Sequence, residues 1–254
     1  MQVLVTRPQP QADRWTERLR SVGIAASPLP LIAIADAPDP AAVAAAWAGL
    51  PQRRLAVFVS PNAVAKFFDH RPVGMAWPEA THAASIGPGT TEALAQHGVP
   101  ADRIVEPAAD STQFDSEALW QRLGVASRDW HGASVLMVRG NGGRDWLADR
   151  LRERGAHVDA VAAYARVAPR FEGDVLKTLN VALAAPAEHV WLLSSSEAVD
   201  HLQRAVPHAT WQAARGIATH PRIAERAEAL GFGRVHACAA GFDAVRACLQ
   251  SFTS

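Results

Sequence analysis

Short apolar runs alternate with longer amphipathic stretches along the whole 254-residue chain. The apolar runs predict strands near 2–6, 24–26, 55–59, 82–86, 103–105, 133–138, 156–162, 189–194, 214–218 and 234–237. Between them apolar residues recur at helical spacing, as in Trp15, Leu19 and Val22, in Trp146, Leu147 and Leu151, and in Ile223, Ala227 and Leu230. Strand followed by helix, over and over, is the pattern of parallel sheets with crossover helices, so the predicted class is α/β. Helix starts are explicit: Ser60-Pro61, Gly87-Pro88 and His220-Pro221 each put a cap residue before a proline at the first helical position. The alanine-rich stretch 41–48 predicts a further helix by propensity alone. Each strand-to-helix corner aims unpaired backbone N–H groups at the carboxyl edge of its sheet, where open α/β sheets bind ligands.

The pattern also repeats, in circular order. Val3-Leu4-Val5-Thr6-Arg7, followed by Leu19 and Gly23, recurs as Val135-Leu136-Met137-Val138-Arg139, followed by Leu151 and Gly155, at a constant offset of 132 residues. Between these copies Val57-Phe58-Val59-Ser60-Pro61-Asn62-Ala63-Val64 recurs later as Trp191-Leu192-Leu193-Ser194-Ser195-Ser196-Glu197-Ala198-Val199. The order is A, B, A′, B′, with a period too long for a solenoid and about right for one domain each. If A pairs with B′ and B with A′, two look-alike domains are joined by a chain that crosses between them twice. Residues 1–34 and 168–254 then form one domain and 38–165 an inserted second one. The linkers, 28–40 and 163–170, are predicted to run side by side as an extended two-stranded hinge. Each domain is expected to hold about five parallel strands, a flavodoxin-like doubly wound unit.

Composition narrows the partners. The 49% of hydrophobic residues can fill two cores, and 25 basic residues balance 25 acidic ones. No global field therefore recruits nucleic acid or an anionic membrane, and an anionic small molecule must be held by local groups. Cys238 and Cys248, in a chain with no visible secretory leader, point to reduced thiols in a cytoplasmic protein. No apolar run approaches the roughly 20 residues of a membrane span. The ten histidines lack metal-ligand spacing.

Candidate chemistry is sparse, with no Walker loop, GxSxG elbow or Cys/His cluster. The turn Arg139-Gly140-Asn141-Gly142-Gly143-Arg144 lacks the full GxGxxG of a dinucleotide loop. Its two arginines beside a helix start could clamp a carboxylate, and Arg7 repeats Arg139; solvated turn residues are the plain alternative. Ser60, Ser194 and Ser195 sit at strand ends as helix caps, and Ser194 with Glu197 is expected to form an S-x-x-E capping box. Capping does not preclude ligand contact, and Thr90, in the first turn after Gly87-Pro88, has the same double reading. Tyr164, the sole tyrosine, falls in the second connector. It can serve as a half-buried packing residue or, protonated at neutral pH, as a donor to a departing oxygen. The eight tryptophans read as packing, since no basic patch accompanies them, and the two cysteines as small buried apolar residues.

Val3-Leu4-Val5-Thr6-Arg7-Pro8, the Val57 to Val64 segment, Ala84-Ser85-Ile86-Gly87-Pro88-Gly89-Thr90 and the run from Val138 through Tyr164 together resemble the uroporphyrinogen-III synthase family over nearly the whole chain. The resemblance implies two flavodoxin-like domains facing across a cleft on a flexible linker, with no metal or organic cofactor. It implies an enzyme of tetrapyrrole synthesis that cyclises linear hydroxymethylbilane to uroporphyrinogen III, losing water and inverting ring D; a monomer is expected. Transient contact with hydroxymethylbilane synthase, the preceding enzyme, goes with that role. Tyr164 matches the tyrosine proposed in the family to assist departure of the hydroxyl, and Ser60 and Thr90 match polar positions lining the cleft. With Arg7, Gly87, Arg139, Arg144, Ser195 and Thr219 they make up the expected substrate site. The later copy reads Ala218-Thr219-His220-Pro221-Arg222 where the first has Gly-Pro-x-Thr, which leaves open whether Ser194, Ser195 or Thr219 meets the ligand. Two rivals are a two-domain solute-binding protein, for which a leader is expected, and a nucleotide-sugar transferase, for which a longer chain and a nucleotide pocket are expected.

Overall fold

The computed structural model describes residues 1–108, 116–126, 129–250 and 252, without the side chains of residues 125 and 126. Its first half runs β1 (Gln2–Val5), α1 (Gln11–Ser21), β2 (Ala26–Pro28), β3 (Ala33–Ala35), α2 (Pro40–Ala48), β4 (Leu55–Phe58), α3 (Pro61–Phe68), β5 (His82–Ser85), α4 (Pro88–Gln96), β6 (Ile104–Val105) and α5 (Ser116–Ala126). The second half runs β7 (Ser134–Gly140), α6 (Trp146–Glu153), β8 (His157–Val167), α7 (Gly173–Ala184), β9 (His189–Leu193), α8 (Ser196–Ala205), β10 (Arg215–Ala218), α9 (Pro221–Leu230), β11 (Arg234–Ala237) and α10 (Phe242–Gln250). The chain divides into two compact units, Met1–Ile34 with Val167–Ser254, and Ala35–Arg166. It passes from one to the other inside β3 and at the end of β8.

In the first unit the sheet order is β11-β10-β9-β1-β2, all pairs parallel. β1 lies against β9, with Val3 opposite Val190 and Val5 opposite Leu192, so the first A segment pairs with the second B segment. Both faces are covered. Val3, Val5, Val190, Leu192 and Ile217 pack with Phe242 and Val245 of α10 on one side, while Leu4, Trp191 and Leu193 pack with Leu202, Trp211 and Phe232 on the other. Alternation along a strand sends successive side chains to opposite faces, and a sheet covered twice needs apolar residues at both parities.

The six-stranded sheet runs β3-β8-β7-β4-β5-β6, with every pair from β8 to β6, the strands of the second unit, parallel. Leu55, Val57, Val135 and Met137 bury one face under Leu147 and Leu151 of α6. On Phe58 rests an aromatic group in which Trp47 stacks on Phe67 at 4.7 Å between ring centroids and donates its indole N–H to the Phe67 carbonyl.

The predicted helix starts stand at Ser60, Gly87 and His220, and stretch 41–48 lies within α2. The repeated Leu and Gly have one job: Gly23 and Gly155 sit at φ 80° and 85°, and the next residue's N–H closes onto Leu19 O and Leu151 O. That exit from a helix requires a left-handed residue, which glycine adopts without a Cβ penalty. It also corrects the strand predicted at 24–26: Ile24 is still tied to the helix, and the strand is Ala26–Pro28. Val22, expected on the buried stripe of α1, is instead its exposed C-cap. Ala33–Ala35 is a strand that apolar patterning did not single out, and β8 runs beyond the predicted 156–162. Among the described residues no helix is long and apolar enough to cross a membrane.

Candidate functional site

Where β4 stops, Ser60 is extended and α3 begins at Pro61. Proline supplies a fixed φ and needs no partner for a missing N–H, and the Ser60 Oγ accepts from the Ala63 N–H at 3.1 Å. The same Oγ lies 3.1 Å from the Tyr164 hydroxyl, contributed by β8 from 104 residues away. Tyr164 is only 5% exposed. A hydroxyl has one proton and two lone pairs. With one Ser60 lone pair taken by Ala63, the pair holds two protons and spends one on itself, whichever oxygen donates. One hydroxyl proton is left to give away.

β7 lies between these two strands. Its register with β8 is regular up to Arg139 opposite Ala162, then shifts so that Gly140 faces Tyr164. The Asn141 N–H donates to the Tyr164 carbonyl at 2.9 Å, and the Arg166 N–H donates to the Asn141 side-chain oxygen at 2.7 Å. On the other side of β4, Thr90 is buried in the first turn of α4, with its N–H on the Gly87 carbonyl at 2.9 Å. Its neighbour carries a network that motif reading did not find: the Thr91 Oγ1 is 2.6 Å from Ser85 Oγ and 2.7 Å from Glu106. Thr91 directly after Thr90, behind a strand ending in serine, was the available signal.

Two of the three candidate arginines are occupied by the protein's own carboxylates. Arg139 pairs with Asp145, the N-cap of α6, and Arg144 holds Glu117 of α5 through both terminal nitrogens, at 3.0 and 3.3 Å. Arg7, the counterpart of Arg139, has its guanidinium carbon 4.4 Å from the Trp15 ring centroid. Its Nε is buried without a hydrogen-bond partner, and burial pulls the guanidinium below the usual arginine range.

In the first unit, Arg7, Ser195 and Thr219 follow the adjoining strands β1, β9 and β10 at their carboxyl ends. The capping box expected of Ser194 and Glu197 does not form as drawn. The helix starts one residue later than the box requires, so the N-cap of α8 is Ser195, and its side chain makes no cap bond. At the next corner the His220 Nδ1 accepts from the Arg222 N–H at 3.1 Å, so capping there falls to histidine and not to Thr219. Among the described residues no group of three or more His, Cys, Asp or Glu is placed to hold a metal ion.

Residues 13–244 match the family model described as uroporphyrinogen-III synthase HemD. The chain is 35% identical over 176 residues to uroporphyrinogen-III synthase of Salmonella typhimurium, an alignment covering 68% of each chain. It is 33% identical over 174 residues to that of Escherichia coli K12, again covering 68% of each. Its fold is similar to a Thermus thermophilus uroporphyrinogen III synthase mutant structure (TM-score 0.59, 15% identity, 100% of this chain and 98% of that one). It is likewise similar to uroporphyrinogen-III synthetase of Helicobacter pylori 26695 (TM-score 0.60, 13% identity, 98% of both). With a family model spanning nearly the whole chain and relatives above 30% identity matching two thirds of it, this chain belongs to the uroporphyrinogen-III synthase family.

Proposed function

We propose that this chain cyclises hydroxymethylbilane to uroporphyrinogen III and that the Ser60–Tyr164 hydroxyl pair carries the proton the reaction needs. The observation behind this reading is the 3.1 Å contact between the two hydroxyls at one sheet edge, with one proton left to donate. The terminal hydroxymethyl group must lose its oxygen. Its C–O bond breaks as the phenol, or Ser60 relayed by it, donates a proton, and water departs. The electron-rich pyrrole pushes the bond apart, so the donor's task is modest. The azafulvene left behind is attacked by the substituted carbon of ring D, the spiro intermediate fragments, and the ring recloses with D inverted. Loss of a pyrrole proton at closure returns the proton spent at the start.

Holding the chain in one near-attack conformer decides the isomer. For the substrate carboxylates we assign Arg7, Ser60, Gly87, Thr90, Arg139, Arg144, Ser195 and Thr219, which lie near the carboxyl ends of strands or the starts of helices. The two sheet orders support reading both units as flavodoxin-like domains joined by the crossing segments β3 and β8. Numbered within its unit, the first sheet reads 2-1-3-4-5, and β8-β7-β4-β5-β6 is the same order circularly permuted. Purified protein, without added metal or cofactor, is expected to divert freshly made hydroxymethylbilane to the type III isomer. A product mixture unchanged from spontaneous type I closure would overturn the reading.

A further inference from the structure

Gly140 needs no glycine for its backbone: it is absent from the residues with positive φ, and it ends a regular strand. What it lacks is a Cβ. A Cβ built there would stand 2.7 Å from Tyr164 Cζ, 2.8 Å from Cε2 and 3.1 Å from the hydroxyl oxygen. Continuing the register of Arg139 opposite Ala162 would place Tyr164 against Asn141. The shift inserts one extra residue, Ala163, on β8 and draws Tyr164 back to face Gly140. Ala163 and Tyr164 are both buried, at 0% and 5% exposure. Bulges between parallel strands are rare, and bulges next to active sites re-aim side chains.

We infer that Gly140 and this bulge are the positioning device for the proposed proton donor, holding the Tyr164 ring flat on bare backbone so that its hydroxyl reaches Ser60. The inference rests on the reading of Tyr164 as the donor. Asn141 completes the device by tying the bulged strand at the tyrosine and just beyond it, through the Tyr164 carbonyl and the Arg166 N–H. An alanine methyl at 140 cannot be absorbed by solvent, because the ring is buried and joined to Ser60 at its far end. The ring must tilt, and the hydroxyl moves with it.

Tyr164 is the only tyrosine, so protein labelled with [ζ-13C]tyrosine gives one resonance that reports this phenol. Ser60→Ala should move that resonance, Gly140→Ala should move it comparably, and the double variant should move it little further. In turnover, Gly140→Ala should lower kcat about as far as Tyr164→Phe, roughly 10-fold or more, with KM within about 3-fold. Added to Tyr164→Phe it should cost nearly nothing further in kcat. Should Gly140→Ala not fold, Asn141→Ala adds no atom at the ring: it should shift the resonance and lower kcat a few-fold. Asn141→Asp, which keeps the acceptor for Arg166, should restore both. An unmoved tyrosine resonance in Gly140→Ala or Asn141→Ala, or an equal kcat loss with and without the phenol, overturns the inference. Absence of type III product from the wild type would sink the functional reading alone, since the resonance needs no substrate.

Discussion

The two copies of the A segment end on the same residue and then diverge. In the second unit the arginine, Arg139, pairs with Asp145 and is followed by Gly140, on which Tyr164 lies. In the first, Arg7 lies against Trp15 and is followed by Pro8. The position 132 residues before Tyr164 is Ile32, a core residue packed among Leu29, Leu31 and Leu202. Ser60 caps its helix and touches the phenol, whereas Ser195, at the matching corner, makes no side-chain cap bond. Repetition therefore supplies the frame twice: the strand, the arginine and the glycine exit from the following helix. The hydroxyl pair exists in one copy only. A strand-end corner is common in α/β sheets. Bringing two hydroxyls together there took a register shift and a residue without a side chain.

The largest effect should separate Tyr164 from Ile32. Tyr164→Phe removes one oxygen and should keep the fold while lowering kcat about 10- to 100-fold, at or below the low end of general-acid assistance, because the leaving group is facile. Ile32→Val should cost about 0.5–1.5 kcal/mol of stability and leave kcat unchanged. Steady-state kinetics with chemistry rate-limiting, beside denaturant unfolding, reads both. Unchanged turnover in Tyr164→Phe would remove the phenol from the mechanism.

Next come the two serines. Ser60→Ala loses a cap bond and should destabilise by about 1 kcal/mol, while Ser195→Ala should stay within about 0.5 kcal/mol. Equal shifts in unfolding midpoint would mean that the difference between the corners carries no energy.

Arg144 tests whether an arginine already engaged can serve a ligand. Its pair with Glu117 is largely exposed, and such pairs contribute about 0–1 kcal/mol, so a substrate carboxylate can displace Glu117 at small cost. Arg144→Ala should raise KM about 5-fold at most, and Glu117→Gln should tighten product binding by freeing the guanidinium. Product titration at matched salt decides; three equal affinities would leave Arg144 a surface ion pair.

The smallest effect is confined to the first unit. Burial, then the neighbouring Cys248 thiol, pushes the Cys238 thiol up to about 11. The native state thus holds a proton that an unfolded thiol releases near pH ~8.5. The stability this contributes is complete below that pH and is lost as pH rises toward 11. Iodoacetamide should label Cys238 slowly at pH 8, and Cys238→Ala should flatten the alkaline fall in unfolding midpoint. Cys238 and Cys248 are half-buried and not the fully buried residues expected from the sequence, and rapid labelling of Cys238 at neutral pH would contradict its raised pKa.

What could be read from the chain alone were features encoded within a few residues or by repetition. Apolar parity marked most strands, cap-proline pairs marked three helix starts, and the A, B, A′, B′ order matches the pairing of β1 with β9 and of β4 with β7. Each follows from local sterics, or from a period that survives without knowledge of the partner strand. Polar residues at strand ends could be located in the same way, but not what each would touch. Arg139 and Arg144 find Asp145 and Glu117, and the α8 cap falls on Ser195 instead of Ser194. Only the tertiary structure decided that Tyr164 meets Ser60, since their contact spans 104 residues and depends on a one-residue slip between β7 and β8. A slip of that kind leaves no mark in hydrophobic periodicity, because it is set by which side chain the neighbouring strand has room for, and at Gly140 that room is the missing Cβ.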